Sequence, residues 1–178
     1  MGLAAPPQVP LCTGPARGMK LPSMARLHVV LVAPEIHWNT GNVGRTCLAV
    51  DADLHLVRPL GFSLDDKHVR RAGLDYWPRV RVTVWPDWDA LAARLPDLGQ
   101  PFFFASRAPR LYTQVAYPEP TVLVFGSESV GLPPALLEQH RDMSVALPMV
   151  DPLLRSLNLS TAVAVAAYEV TRQWAARR

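Results

Sequence analysis

Cysteine is scarce in this chain: Cys12 and Cys47 are the only two among 178 residues. They form no zinc pattern and no disulfide framework, and a reducing cytoplasm is the default compartment. The five histidines are scattered, with no pair at helical ligand spacing, so no metal is expected. No apolar run approaches bilayer-spanning length, so no membrane association is expected either. The first residues lack the continuous apolar stretch of a secretory signal. Neither a Gly-x-x-x-x-Gly-Lys phosphate loop nor a Gly-x-Gly-x-x-Gly fingerprint occurs. What remains is a single domain of adequate length for a substantial core, 49% hydrophobic and 19% charged.

The charge is unevenly placed. Residues 1–26 hold Arg17, Lys20 and Arg26 and no acid, so this leader alone carries the formal net charge of +3. It also holds five prolines and three glycines, a composition that opposes packed structure. It reads as a flexible basic leader: an extension, a misassigned start upstream of Met24, or an RNA-touching arm. A second cluster, Lys67, Arg70, Arg71, Arg79 and Arg81, stands against one acid, Asp75, and encloses Tyr76 and Trp77. Cations bind phosphate and aromatic faces stack on unpaired bases. The competing reading is an exposed charged loop with both aromatics in the core.

Apolar patterning predicts strands over 27–33, 54–57, 80–85, 102–105, 121–125 and 144–147. Helices are predicted over about 41–51, 88–95, 134–140 and 158–176. This alternation implies an α/β domain over residues 27–178, with a mostly parallel sheet covered by helices on both faces. The last helix is apolar nearly all round, which suggests a second buried face, most simply a subunit contact through Val165 and Tyr168.

Three polar or glycine-bearing loops adjoin strand or helix ends: Asn39-Thr40-Gly41-Asn42-Val43-Gly44-Arg45, Ser127-Glu128-Ser129-Val130-Gly131, and Arg155-Ser156-Leu157-Asn158-Leu159-Ser160. Their co-occurrence points to one composite site at the rim of the sheet. Singly, each has a plainer reading. Gly41-x-x-Gly44 is a weak match to the RNA-clamping loop of KH modules, or a tight turn. Arg45 would sit in the first turn of its predicted helix, where the dipole does not favour a cation. Ser156, Asn158 and Ser160 are ordinary capping residues. A Ser129/His140/Asp142 triad finds no support in the sequence positions.

Taken together, the motifs resemble the SPOUT class of S-adenosylmethionine-dependent, TrmH-like RNA methyltransferases. The likeness is to the small bacterial enzymes that methylate the wobble ribose of tRNA. It is carried by Pro34-Glu35-Ile36 with Asn39-Thr40-Gly41-Asn42 and Arg45, by Pro59-Leu60-Gly61-Phe62, and by Asp65-Asp66-Lys67 with Arg71-Ala72-Gly73-Leu74-Asp75-Tyr76. It continues through Phe125-Gly126-x-Glu128-x-x-Gly131-Leu132-Pro133, Leu147-Pro148-Met149 and Arg155-Ser156-Leu157-Asn158-Leu159-Ser160. His37-Trp38 stands where some relatives carry proline, and Ala105-Ser106-Arg107 replaces a threonine-rich stretch.

The resemblance implies a deep trefoil knot in the C-terminal half, where the default topology rule expects none. It implies S-adenosyl-L-methionine as cofactor, with Gly126, Leu147 and Ser156 around the adenosine and Ala105 lining the pocket. It implies methyl transfer to a ribose 2′-hydroxyl of cytidine or modified uridine, with tRNA as partner and a homodimer as the assembly. Arg45, Asn39 and Asn158 match catalytic positions, and Arg45, Glu128, Arg70 and Arg71 would meet the RNA. The alternative from another class is a non-catalytic knotted or KH-like RNA-binding protein.

Overall fold

The computed structural model describes residues 27–63 and 76–178. The leader, Arg70 and Arg71, and the motif residues Asp65 to Asp75 therefore lie outside the described residues. Strand β1 (Leu27–Val32) is buried at every position and leads into helix α1 (His37–Val50). Strands β2 (Ala52–Val57) and β3 (Val82–Trp85) follow. Two short helices, α2 (Trp88–Ala92) and α3 (Leu95–Leu98), stand where the apolar pattern predicts one. Pro96 lies in the first turn of α3, where a missing N–H costs nothing. Next come β4 (Gln100–Phe104), the two-residue β5 (Arg110–Leu111) and β6 (Thr121–Phe125). Helix α4 (Pro134–Gln139), strand β7 (Ser144–Ala146) and helix α5 (Leu159–Ala175) complete the chain.

The sheet order is β3-β2-β1-β6-β4-β7-β5, and every pairing between these strands is parallel. The strand period of two divides the core. Val29, Leu31, Leu54, Leu56, Phe102 and Phe104 pack on one face with Val43 and Cys47 of α1 and Val163 and Val170 of α5. Val30, Val32, Val57, Phe103, Val122 and Val124 pack on the other with Leu91, Leu95 and Leu136 of α2, α3 and α4. Helices thus cover both faces, which is why the central strands read as continuous apolar runs.

Helix α1 begins four residues before its predicted start. Gly41 and Gly44 lie inside it, both buried. The glycine pair is therefore neither a tight turn nor a KH-type clamp. A Cβ on Gly44 would stand 2.6 Å from the Trp77 ring, so this glycine admits Trp77 against the helix. Tyr76 is 5% exposed and Trp77 packs on the same core. The core reading of these two aromatics is the one the structure bears out. Arg81, from the same basic cluster, pairs with Asp53 and donates to Asp51 at 2.8 Å, so it is spent on its own chain.

Candidate active site

In a parallel sheet all carboxyl ends point one way, so the loops after neighbouring strands share one edge. Here β2, β1, β6, β4 and β7 are adjacent, and the loops that follow them carry the sequence motifs. The loop after β6 meets the one after β1 first. The Glu128 carboxylate accepts from the backbone N–H of Glu35 at 2.8 Å and of Ile36 at 3.3 Å, and from Asn39 Nδ2 at 2.8 Å. In return, Ser129 donates to the Glu35 carboxylate from its backbone N–H at 3.1 Å and from its hydroxyl. Helix α1 has no local side-chain cap at Ile36 and no acid in its first turn. Glu128, far along the chain, supplies the negative charge that the helix N-terminus favours.

The third loop joins through Asn39. Asn158 Nδ2 donates to Asn39 Oδ1 at 2.9 Å, while Asn158 Oδ1 caps α5 by accepting from Ser160 N at 2.9 Å and Thr161 N at 3.4 Å. The directions are consistent throughout: α5 amides to Asn158, Asn158 to Asn39, Asn39 to Glu128. One directional chain of hydrogen bonds ties three loops that are 89 and 119 residues apart in sequence. Asn39 is 6% exposed, so its amide is held by these partners rather than by water.

Arg45 is exposed, and its guanidinium carbon lies 4.6 Å from the Tyr76 ring centroid. That is cation–π distance. The Tyr76 hydroxyl donates to Gly41 O at 2.9 Å, which fixes the ring under Arg45. Because α1 starts at His37, Arg45 lies beyond the first two turns, and the dipole argument about it does not apply. Tyr76 as the support of Arg45 is visible only in three dimensions.

Three of the four expected cofactor residues, Ala105, Gly126 and Leu147, directly follow three adjacent strands. Phe103 pairs with Val124 on one side and Ser144 on the other, so Ala105 lies level with Gly126 on one side and with Ala146, one residue before Leu147, on the other. Ala105 N donates to Val145 O at 3.0 Å. Ala105 and Leu147 are half-buried, and Ser156 is exposed two residues before the cap of α5. A Cβ on Gly126 would stand 2.0 Å from the Gly131 carbonyl carbon and 2.1 Å from Leu132 N. Glycine there is demanded by its own loop, which an antiparallel bridge between Ser127 and Gly131 closes. The half-buried apolar side chains of Ala105 and Leu147, the backbone polar groups of these strand ends and the exposed Ser156 are of the chemistry that a nucleoside-bearing ligand takes.

Two further groupings resolve differently. Ser129 donates to Glu35, while His140 stacks on Phe103 at 4.3 Å between centroids, so no serine triad forms. Among the described residues no group of three or more His, Cys, Asp or Glu side chains could hold a metal ion. Glu35, which the motif contains but to which no role was given, proves to be half of the reciprocal Glu35–Glu128 exchange.

Known proteins are similar to this chain in sequence and fold. A tRNA (cytidine(34)-2′-O)-methyltransferase of Burkholderia cenocepacia is 50% identical over 148 residues, covering 82% of this chain and 94% of the relative. A solved structure from work on the 2-OH methylation of C/U34 on tRNA is 43% identical, with a TM-score of 0.79 over 85% of this chain and 92% of that one. The SpoU methyltransferase AviRb of Streptomyces viridochromogenes, in complex with AdoMet, shares the fold at 24% identity. Its TM-score is 0.73 over 87% of this chain and 60% of that one. The SpoU rRNA Methylase family matches residues 26–168. With these loops in these places, and over that length, the chain belongs to the SpoU methylase family of RNA methyltransferases.

Proposed function

We propose that this chain transfers a methyl group from S-adenosyl-L-methionine to the ribose 2′-hydroxyl of nucleotide 34 of tRNA, a cytidine or a modified uridine. The single observation that carries the reading is the Glu128–Asn39–Asn158 chain of hydrogen bonds. It gathers three loops at the carboxyl edge of the sheet, at the start of the helix that carries Arg45 and next to the strand ends of Ala105, Gly126 and Leu147. The relatives named above supply the substrate.

S-adenosylmethionine, when bound, supplies a methyl carbon activated by a sulfonium. The chain's own residues bind, align and stabilise. Ala105, Gly126, Leu147 and Ser156 hold the adenosine. Asn39 and Asn158 keep the loops in register; alignment of the ribose oxygen with the methyl carbon, the task those loops serve, can contribute up to about 7–11 kcal/mol. Glu128 serves the RNA side by locking the loop against which the nucleotide rests. Arg45 is a poor base, since a guanidinium keeps its proton at neutral pH. It holds the adjacent phosphate and offsets the charge that develops on the ribose oxygen. Arg70 and Arg71 add phosphate contacts further along the RNA.

The finer architecture follows the same reading. Strand β7 lies between β4 and β5, with β6 on the other side of β4, an order that suits a trefoil knot in the C-terminal half. Val165, 37% exposed, and Tyr168, 55% exposed, lie on one outward stripe of α5 and form the homodimer contact. The compartment that goes with this reading is the cytoplasm. Calorimetry with S-adenosylmethionine, followed by transfer of labelled methyl to tRNA, tests the proposal. Saturable cofactor binding and label in an alkali-resistant dinucleotide are expected. A folded protein that binds tRNA but takes neither cofactor nor label is the non-catalytic RNA-binding alternative.

A further inference from the structure

Helix α1 has an outward face that the hydrogen-bonded chain does not use. Trp38, Asn42, Arg45 and Ala49 fall at i, i+4, i+7 and i+11, and all four are exposed. The opposite face, through Thr40, Val43 and Cys47, is buried. Trp38 is 52% exposed although it is the largest apolar side chain on the helix. It is adjacent in sequence to Asn39 and about 10 Å along the helix axis from Arg45. An oligonucleotide laid along the stripe can therefore meet both. The His37 ring lies 4.6 Å from the Trp38 ring and 6.4 Å from Phe62, so the indole has an aromatic backing on one side. Glu35 and Glu128, the acids of this rim, turn their carboxylates onto backbone amides, Asn39 and Ser129. The stripe's own charge is the Arg45 guanidinium, which suits an anionic chain.

We propose that Trp38 is a specificity-determining residue, the platform on which an unpaired base flanking the methylated nucleotide stacks, with His37 and Phe62 behind it. The inference rests on the reading of the chain as an RNA methyltransferase. Stacking accepts any unpaired base, and alanine substitution of such a platform commonly costs tenfold or more in affinity. A ring placed here reads whether the nucleotides around the target are single-stranded, which Arg45 alone cannot do.

The test uses the full chain, an anticodon stem-loop RNA and a blunt duplex of the same length. Trp38→Ala is expected to raise KM for the stem-loop about tenfold. Its kcat at saturating RNA and its S-adenosylmethionine affinity should stay close to wild type. Trp38→Phe should restore most of the loss. Stem-loop binding should quench wild-type indole emission more than Trp38→Phe emission, and the duplex should quench the two equally. An unchanged KM in Trp38→Ala overturns the inference while leaving methylation intact. So does a shift in oligomeric state by light scattering, which would give the ring to a protein contact. A wild-type protein that does not methylate the stem-loop fails at the earlier reading, before any variant is compared.

Discussion

Asn39→Asp changes one atom of the chain that joins the loops, and its effect can be worked out from the geometry. Asn39 Nδ2 now donates to Glu128 Oε1 at 2.8 Å, and Asn39 Oδ1 accepts from Asn158. The substitution keeps the second contact and replaces the first with two facing carboxyl oxygens. Loss of a hydrogen bond to a charged acceptor costs roughly 1.5–3 kcal/mol. Repulsion between unit charges about 4 Å apart adds up to about 4 kcal/mol at the effective dielectric of a protein surface. A domain has only about 5–15 kcal/mol in total, so the variant should be severely weakened at pH 8. Two close carboxyls can share a proton, so much of the repulsion should vanish by pH 5. Asn39→Leu removes the hydrogen bonds without adding charge, and its deficit should be smaller at pH 8 and independent of pH. Urea unfolding of the wild type and both variants at pH 5 and 8 measures this, each variant being compared with wild type at the same pH. If Asn39→Asp matched wild type at pH 8, or lost the same stability at both pH values, the assigned direction of the Asn39–Glu128 bond would be wrong.

Other outcomes follow from single contacts. Arg45→Ala should abolish methyl transfer while leaving cofactor affinity nearly intact, and Arg45→Lys should fail substantially because a point charge cannot replace planar bidentate phosphate contact; near-normal turnover in both would remove the assignment. Gly126→Ala should destabilise the fold itself, since its Cβ meets the Gly131–Leu132 backbone, and a Tm equal to wild type would contradict that packing. His55 is buried, accepts from Trp85 Nε1 at 3.1 Å and lies 3.0 Å from His28 Nδ1, and burial followed by the neighbouring His28 pushes its pKa down to about 4. The unfolded chain then binds the proton more readily, so this group's contribution is complete above about pH 6.5 and is lost as pH falls toward 4, at most about 3 kcal/mol. His55→Gln should flatten that part of the urea-stability profile, and an unchanged slope would refute the buried neutral histidine.

The central strands were legible because burial on both faces leaves a nearly continuous apolar run, as in Leu27–Val32, where only His28 is polar, and in Val122 to Phe125 after Thr121. The composite site was legible for a different reason: its three loops keep their polar residues together in sequence. The start of α1 was not. His37, Asn39 and Thr40 read as loop residues because they are polar, yet Asn39 and Thr40 are buried, and the charge at the helix N-terminus comes from Glu128, 92 residues from Ile36. No local pattern encodes that. The same displacement gave Arg45 a first-turn position that it does not have. Two residues are too few to show periodicity, which hid β5, and the insertion of β7 between β4 and β5 is a tertiary fact.

The central claim is that the site acts on one oxygen atom. An anticodon stem-loop in which nucleotide 34 alone carries 2′-deoxyribose, compared with its all-ribose twin, tests this most directly when both are incubated with labelled S-adenosylmethionine. The account predicts comparable binding of the two RNAs, with label in the all-ribose RNA and none in the deoxy RNA. Equal labelling of both, or label recovered on a base, would contradict it.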